Sequence, residues 1–315
     1  MNEQRRQTWG VTLASLGALL WGISGPISQD LFQHAGVSPE WLTGLKMTIS
    51  GILILAMVTA RQRSRVLNVW RKRSDALMMI VFSLIGMAAV QYVYFLTVRA
   101  SSAPTATIMQ TLGTVMIVLW GIFYHHDYPR PADILAVTLA LLGTWLLVTK
   151  GDLFHLAISP VALMWGLLLG LSGALNTLLP ASLLRRYDTL TVVGWSMLFG
   201  GLTFTVIHPA WHDVPTLSFW NWAGVAFIVL FGTALAYISF IGSLNLISPT
   251  VAGLLDAFEP LSATILAVLF LNVTFNGWEL FGGALILSTV FILSWAKPAE
   301  NRQQPETHAD DVDAQ

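Results

Sequence analysis

Long apolar runs and short polar connections alternate along the whole chain. About 20 apolar residues are needed for a helix to cross the hydrocarbon core of a bilayer. Such runs lie at residues 10–32, 40–60, 75–97, 102–124, 132–149, 158–183, 189–208, 220–243, 249–271 and 277–296. The pattern therefore predicts an all-α polytopic membrane protein with ten transmembrane helices.

Composition supports this class of protein. The chain is 55% hydrophobic and 10% charged, with a mean hydropathy of +0.67, whereas soluble domains carry about 25% charged residues. There is no cysteine, which excludes disulfides and thiolate chemistry. The seven His residues show no metal-ligand spacing, and a net charge of −1 does not indicate a nucleic-acid partner. We expect no metal and no cofactor, and a lipid bilayer around the protein.

The distribution of Lys and Arg predicts the orientation in the membrane. If the N-terminus is cytoplasmic, 13 of these residues fall inside and two, Arg99 and Lys150, fall outside. The inside set is Arg5, Arg6, Arg61, Arg63, Arg65, Arg71, Lys72, Arg73, Arg130, Arg185, Arg186, Lys297 and Arg302. Cytoplasmic loops are enriched in Lys and Arg, so we expect a multi-pass cell-membrane protein with both termini in the cytoplasm.

The two ends of the chain need separate interpretations. The Arg pair before the first apolar run resembles the start of a secretory signal, but no small-residue cleavage site follows it. We therefore expect the first run to be retained as a transmembrane helix. The polar segment 298–315 is expected to be a disordered cytoplasmic tail.

The two halves of the chain resemble each other at an offset of about 146 residues. SLIGMAAVQYVYF falls near VLFGTALAYISF, and ILAVTLALLGTWLLV falls on LFGGALILSTVFILS. SSAPTATIMQTLGTVMIVLWGIF falls on LISPTVAGLLDAFEPLSATILAVLF. Chance similarity between apolar segments is the alternative, but three segments share nearly one offset. Because five spans are an odd number, we expect two inverted five-helix repeats, residues 1–150 and 151–297, with a site near the midplane between them.

Several segments together resemble a known family. They are LLWGISGP, WLTGLKMTISGILIL, VQYVYFLTV, TATIMQTL and FEPLSATILAVLF, in this order. Over residues 10–297 the chain resembles the EamA type of the drug/metabolite transporter superfamily. This resemblance implies a ten-helix, two-repeat carrier, of a kind that often exports amino acids, other metabolites or drugs.

The chain also departs from the pattern of that family. Thr114 stands where the family usually has proline, and Lys46 stands where Arg is common. Val273 occupies a place that is often acidic, and Asp127 fills the equivalent place in the first repeat. The resemblance therefore implies the fold more strongly than any particular substrate.

Two carboxylates in the ninth span are the leading candidate site. Glu259 lies about ten residues into this span, roughly 15 Å at the helical rise, which is the middle of the bilayer core. Asp256 lies one turn away on the same face. Pro260 lacks an N–H, so we expect a helix break and a free carbonyl at Asp256. Intramembrane acids are costly and commonly functional, and a structural network is the alternative.

Other intramembrane polar and aromatic residues are candidates for binding substrate. They are Gln110, Gln91, Tyr94, Trp21, Asn176 and Tyr237, and Gln110 falls on Asp256 under the shift. Pro26 and Pro180 are further predicted helix breaks, although Pro180 lies near a helix end and fits simple termination equally well. Lys46 has two interpretations: it extends to the outer surface, or it lines the cavity, where it pairs with Asp30 or binds a substrate carboxylate.

The function predicted from these residues is secondary transport of a small metabolite, such as an amino acid or a related or toxic compound. Export by alternating access with proton coupling is the leading hypothesis, and an uptake carrier or an exchanger is the alternative. No phosphate-loop motif is present. An intramembrane enzyme or a membrane scaffold fits less well, because no Ser/His or H-E-x-x-H constellation occurs and polar residues lie at mid-depth in several spans. The sequence is compatible with a monomer or a dimer.

Overall fold

The computed structural model describes residues 3–62, 66–124, 128, 130–152, 157–209, 211 and 214–295. Its regular structure is helical, with no strand among these residues. The spans are α1 (Glu3–His34), α2 (Pro39–Gln62), α3 (Arg73–Ala100), α4a (Ala103–Gln110) with α4b (Leu112–Tyr124), α5 (Pro131–Thr149), α6 (Pro160–Leu178), α7 (Thr189–Ile207), α8 (Phe219–Ser243), α9a (Pro249–Leu255) with α9b (Phe258–Leu271), and α10 (Gly277–Trp295).

This architecture confirms the predicted all-α fold with ten spans. In the described part of the chain, nine helices are long and apolar enough to cross a membrane, and Gly277–Leu293 forms a shorter apolar helix. The predictions made for Asp127, Lys297 and the tail 298–315 lie outside the described residues.

Side-chain caps explain where several spans begin. The hydroxyls of Ser102, Ser159 and Ser248 accept hydrogen bonds from backbone N–H groups three residues later, and a proline follows within the first turn in each case. Asp188 and Ser218 cap α7 and α8 in the same way. Such caps satisfy backbone donors that have no helical partner, and proline in the first turn removes one of those donors.

The two halves of the molecule pack as inverted copies. α5 and α10 match over their full length at an offset of 146 residues, and they contact each other extensively. Lys150, at the end of α5, forms an ion pair of 3.0 Å with Glu279 in the first turn of α10. Because the end of one helix meets the start of its equivalent, these two helices are antiparallel.

The remaining contacts repeat the same symmetry. α2 packs along α7, where the Trp195 indole donates to the Val66 carbonyl at 2.9 Å, so these helices are also antiparallel. α1 packs against α8 and α9b, and α6 packs against the equivalent pair, α3 and α4b. Two equivalent sets of contacts around one centre place a pseudo-two-fold axis between the halves, as in transporters built from inverted repeats.

An ion pair between a half-exposed arginine and a buried aspartate connects the halves near the start of α3. The Asp75 carboxylate accepts hydrogen bonds from Arg186 at 2.7 and 3.0 Å and from the Tyr187 hydroxyl at 2.8 Å. Burial of the phenol and its hydrogen bond to Asp75 raise the pKa of Tyr187. Together with the Lys150–Glu279 pair, this contact shows that charged side chains connect the repeats at both ends of the bundle.

Two of the three prolines that were predicted to break helices, Pro26 and Pro180, do not interrupt a transmembrane helix. α1 continues without interruption through Pro26, so the predicted break there is wrong. Membrane helices tolerate interior proline where neighbouring groups satisfy the backbone, and next to it the Ser28 hydroxyl donates to the Gly25 carbonyl at 2.6 Å. α6 ends at Leu178, and Pro180 precedes the short helix Ala181–Leu184, so Pro180 lies where the helix terminates.

Candidate functional site

A cavity of about 550 Å³ lies between the two repeats. Its walls come from α1, α2, α3, α4, α6, α8, α9 and α10. The structure brings together in it the nine residues that the sequence singled out: Trp21, Lys46, Gln91, Tyr94, Gln110, Asn176, Tyr237, Asp256 and Glu259. Pro260 also lines this cavity, whereas Pro26 and Pro180 do not.

The interruption of α9 positions the two carboxylates. α9a ends at Leu255, Asp256 and Ala257 form a tight turn, and Glu259 lies in the first turn of α9b. Pro260 cannot donate a backbone hydrogen bond, and the N–H of Glu259 donates instead to the Asp256 carbonyl at 2.9 Å. The predicted free carbonyl at Asp256 is therefore wrong, because a bond spanning three residues replaces the helical one. The Glu259 side chain is buried at this turn.

α4 is interrupted at the equivalent place in the first repeat. α4a ends at Gln110 and α4b begins at Leu112, which is 146 residues before the first residue of α9b. The Thr111 N–H and the Thr111 hydroxyl both bond to the Ile108 carbonyl, at 3.2 and 2.7 Å. The break thus forms with Thr114 in place of the usual proline. Residues of both breaks line the cavity, and inverted-repeat carriers bind substrates between their repeats.

Lys46 is buried in the wall of the cavity. Its Nζ donates to Gln91 Oε1 at 2.9 Å and lies 3.9 Å from the centre of the Phe95 ring. It also interacts electrostatically with Glu259. Only 5% of Lys46 is exposed, so the interpretation in which it extends to the outer surface is wrong in this structure. The suggested pairing with Asp30 is wrong as well, because that carboxylate pairs with His34 at 2.8 Å.

Gln91 and Tyr237 meet at the centre of the molecule. These two residues are 146 positions apart, and Gln91 Nε2 donates to the Tyr237 hydroxyl at 3.3 Å. Residues that are equivalent in the two repeats touch each other only near the symmetry axis, so this bond marks the axis. Around it, the Tyr237 ring packs edge-on to Trp21 at 5.0 Å, and Trp21 also packs against Phe240 at 5.1 Å. One wall of the cavity is therefore aromatic.

Three polar atoms of the cavity have no hydrogen-bond partner although they are buried. They are the Tyr94 hydroxyl, Asn176 Oδ1 and Asp256 Oδ1. Buried polar groups are normally satisfied, and exceptions are common at sites that bind a ligand or water. Tyr92, by contrast, lies away from the cavity and donates to Glu40 Oε1 at 2.6 Å.

Sequence reasoning missed several residues of the cavity wall. Phe95 lies beneath the Lys46 amine, and Phe240 extends the aromatic wall. Thr107 in α4a and Thr233 in α8 also line the cavity. Phe95 and Thr107 gave no signal, because aromatic and threonine residues are frequent on any packed membrane helix face. Thr233 lies four residues before Tyr237, which is the equivalent of Gln91 in the first repeat. The repeat segment around these two candidates is the signal that could have indicated it.

Among the described residues, no group of three or more His, Asp or Glu side chains comes together to bind a metal ion. The cavity instead offers one amine, two carboxylates, amides, hydroxyls and aromatic faces. Groups of these chemical types can bind small molecules and exchange protons.

Comparison with known proteins supports the relationship indicated by fold and cavity. The EamA-like transporter family matches residues 8–149 and, a second time, residues 160–295. The chain belongs to this family. The family model matches each half of the chain once, and the chain is a multi-pass membrane transporter.

Individual relatives of this EamA-like protein span nearly its full length. It is 33% identical over 285 residues to an uncharacterized inner membrane transporter, YicL, of Salmonella typhimurium. This alignment covers 90% of this chain and 95% of the relative. It is 23% identical to the threonine/homoserine exporter RhtA of the same organism, over 96% of this chain and 95% of the relative. A crystal structure covering 91% of this chain superposes with a TM-score of 0.62 at 19% identity, and this likeness shows the fold alone.

Proposed function

We propose that the protein is a secondary transporter that exports a small polar or amphipathic metabolite of the amino-acid class across the cell membrane by alternating access. The observation that carries this proposal is the central cavity, which lies between inverted repeats and contains two carboxylates, a buried amine and unpartnered polar atoms. Sites of this kind are typical of secondary transporters. A volume of about 550 Å³ is within the usual range for small-molecule pockets.

The direction of opening favours export. The cavity is lined by the parts of α6, α8, α9 and α10 that lie towards the N-terminal end of α1. The excess of Lys and Arg at that end supports a cytoplasmic location for both termini. The cavity would then open to the cytoplasm, and an exporter loads its substrate in this state. An uptake carrier would release its substrate from the same state, so transport measurements must separate the two.

Proton coupling is proposed through the carboxylates of α9. Glu259 and Asp256 are near each other and close to mid-depth, and Glu259 interacts with both Asp256 and Lys46. A carboxyl group placed between a second acid and an amine changes the charge of the cavity when it binds or releases a proton. Because no phosphate-loop motif is present in the sequence, an ion gradient is the proposed energy source.

The amino-acid class is proposed from the relative that is named for threonine and homoserine. The cavity supports this choice, because it offers groups of both charges for a zwitterion. Lys46 can bind a carboxylate, and Asp256 can bind an ammonium group.

A transport assay tests the proposal. The purified protein would be reconstituted into proteoliposomes and screened on solid-supported membranes with threonine, homoserine, other amino acids, sugars and toxic organic cations. We expect saturable currents for a subset of amino acids, without ATP. These currents should grow when protons flow down their gradient in the direction opposite to the movement of the substrate. Flux that ignores both the pH gradient and the membrane potential would replace proton coupling by exchange or uniport. Absence of flux for all of these classes would contradict the proposed substrate class.

A further inference from the structure

The charges that line the cavity do not balance. Of the described residues in its wall, three carry ionisable acid or amine groups: Lys46, Asp256 and Glu259. Lys46 interacts electrostatically with Glu259. The amine of Lys46 thus acts on Glu259, and the described residues of the wall include no second amine for Asp256. When all three groups are ionised, the cavity carries a net charge of −1.

The second carboxylate also lacks hydrogen-bond donors. Asp256 Oδ1 is buried and has no partner, and it lies in the turn between α9a and α9b. An unsatisfied buried acceptor is costly, and it costs more when the acceptor is charged. Because the Asp256 side chain lines the cavity, a ligand in the cavity can supply the missing donor.

Other acceptors and an aromatic surface surround this carboxylate in the same cavity. Asn176 Oδ1 and the Tyr94 hydroxyl are buried without partners, and only 9% of Tyr94 is exposed. Trp21, Tyr237 and Phe240 form the aromatic wall. Aromatic faces attract cations, most strongly where water is excluded. The unpartnered oxygens of Asp256 and Asn176, which can only accept when Asp256 is ionised, and the aromatic faces favour a ligand with a protonated amine and an apolar body.

We infer that Asp256 is the centre of an amine-binding subsite, at which the ammonium group of the substrate donates to the unpartnered Asp256 carboxylate, while the amine of Lys46 compensates the neighbouring Glu259. This subsite rests on the proposed transport function and specifies its substrate class: a primary amine, either a cation or the ammonium end of a zwitterion. Anions without an amine are excluded, because they meet a net negative cavity. Asp256 and Glu259 thereby have different tasks, although they are one helical turn apart.

The test is a binding series in which only the charge of the ligand changes. 2-Phenylethylamine, 2-phenylethanol and 3-phenylpropionate share one ring and carry charges of +1, 0 and −1. Titration calorimetry on the purified wild-type protein should give a dissociation constant for the amine about 10- to 100-fold below that of the alcohol, as expected for a hydrogen bond to a charged group. No binding of the anion is expected.

Variants assign this preference to one residue. Asp256→Asn keeps the size of the side chain and removes its charge, and it should reduce the preference for the amine to less than about threefold. Asp256→Glu should retain the preference. Asp30→Asn is the matched control, because Asp30 is an exposed carboxylate at the outer end of α1, and this change should leave all three affinities unaltered.

A further ligand keeps the test valid even if Asp256→Asn fails to fold. Phenethyltrimethylammonium has the same charge as 2-phenylethylamine but no N–H donor. If the ammonium donates to Asp256, the wild-type protein should bind the primary amine at least about tenfold more tightly than this quaternary ion.

Three results would overturn the inference: equal affinity for the amine and the alcohol, an unchanged preference in a folded Asp256→Asn protein, or no binding of the amine at millimolar concentration. The last result would leave the proposed transport function to the substrate screen, which includes compounds of other classes. Failure of the subsite and failure of transport are therefore distinguishable.

Discussion

At the scale of single residues, Glu259 is the group on which gradient-driven transport should depend. It is buried in the first turn of α9b and interacts with both Asp256 and Lys46. Glu259→Gln keeps the size and hydrogen-bonding capacity of the side chain but cannot titrate. We expect substrate counterflow between equal pH values to continue, and accumulation driven by a pH gradient to fall at least about tenfold. Both are measured in the same proteoliposomes.

The matched control for this change is Glu40→Gln. Glu40 lies in the first turn of α2 and accepts a hydrogen bond from Tyr92, outside the cavity. The Glu40→Gln substitution should leave substrate accumulation within about twofold of the wild-type value. If Glu259→Gln accumulates substrate at the wild-type rate with the same pH dependence, the carboxylate is structural and the coupling mechanism is wrong.

Lys46 should affect substrate charge selectivity rather than folding. Its amine bonds to Gln91 and covers the Phe95 ring, and Met can keep the packing of the stem without the charge. Lys46→Met leaves both carboxylates uncompensated, so the cavity becomes more negative. We expect weaker transport of a zwitterion, by about tenfold in KM, with normal expression. An unchanged KM would show that Lys46 does not contact the substrate carboxylate.

At the scale of helices, one glycine determines how closely α1 approaches α9b. A Cβ on Gly22 would collide with the Ser262 hydroxyl and the Glu259 carbonyl, and it would lie 3.2 Å from the Ala263 nitrogen. Two of these atoms are backbone and cannot move without shifting α9b. Overpacking of this kind typically costs about 1–3 kcal/mol. Gly22→Ala should therefore lower the melting temperature of the purified protein by several degrees and reduce transport.

Gly242→Ala is the matched control for that prediction. Gly242 lies in α8, and a Cβ added there would meet no atom within 4 Å. Alanine is favoured over glycine in an open helix position by about 0.5–1 kcal/mol, so the melting temperature should stay or rise. Equal destabilisation by the two substitutions would mean that close helix approach is not the cause.

The sequence predicted most of the helices because their signal is strong. A run of about 20 apolar residues has few structural solutions in a membrane protein, and each of the ten predicted runs overlaps a helix. The internal details gave weaker signals. The π-helical stretches Phe82–Ala88 and Leu230–Leu235 and the break at Thr111 depend on packing between helices, to which a single sequence gives little access.

The cavity residues could be predicted as a group for a different reason. Polar side chains at mid-depth are rare and must face other protein or water, and the repeat gave their relative depth in both halves. Their partners were less accessible. The bond between Lys46 and Gln91 and the contact with Phe95 join α2 to α3 in three dimensions, and the sequence suggested Asp30 instead because that was a nearby acid at the outer side.

At the scale of the whole molecule, the orientation can be tested by labelling. The chain has no cysteine, so a single introduced thiol has no background. Ser74, in the first turn of α3, and Thr216, just before α8, are exposed at opposite ends of the bundle. With an impermeant maleimide on intact cells, Thr216→Cys should react, whereas Ser74→Cys and Gln304→Cys should react only after the membrane is opened. Labelling of Gln304→Cys from outside would contradict cytoplasmic termini.

Alternating access should appear as an exchange of exposure between the two repeats. In this structure α4a is buried from Ala103 to Met109, whereas most of the equivalent half-helix, α9a, is partly or fully exposed where its side chains are described. Thr107 and Gly253 are 146 residues apart and both line the cavity. Thr107 is only 2% exposed, while a Cβ on Gly253 would meet no atom within 4 Å. The half-helix α9a is therefore more open than its equivalent, α4a.

Because the repeats are inverted copies, the opposite state should interchange these two environments. Gly253→Cys should react with an impermeant maleimide from the cytoplasmic face of inverted vesicles, and Thr107→Cys should react from the outside of intact cells only while the carrier turns over. Added substrate that shifts the carrier towards its outward-open state should slow the labelling of Gly253→Cys and speed the labelling of Thr107→Cys. Both changes follow from the same population shift, because one two-state equilibrium determines both. Parallel changes at the two positions, or a Thr107→Cys that never reacts under turnover, would contradict alternation around the symmetry axis marked by Gln91 and Tyr237.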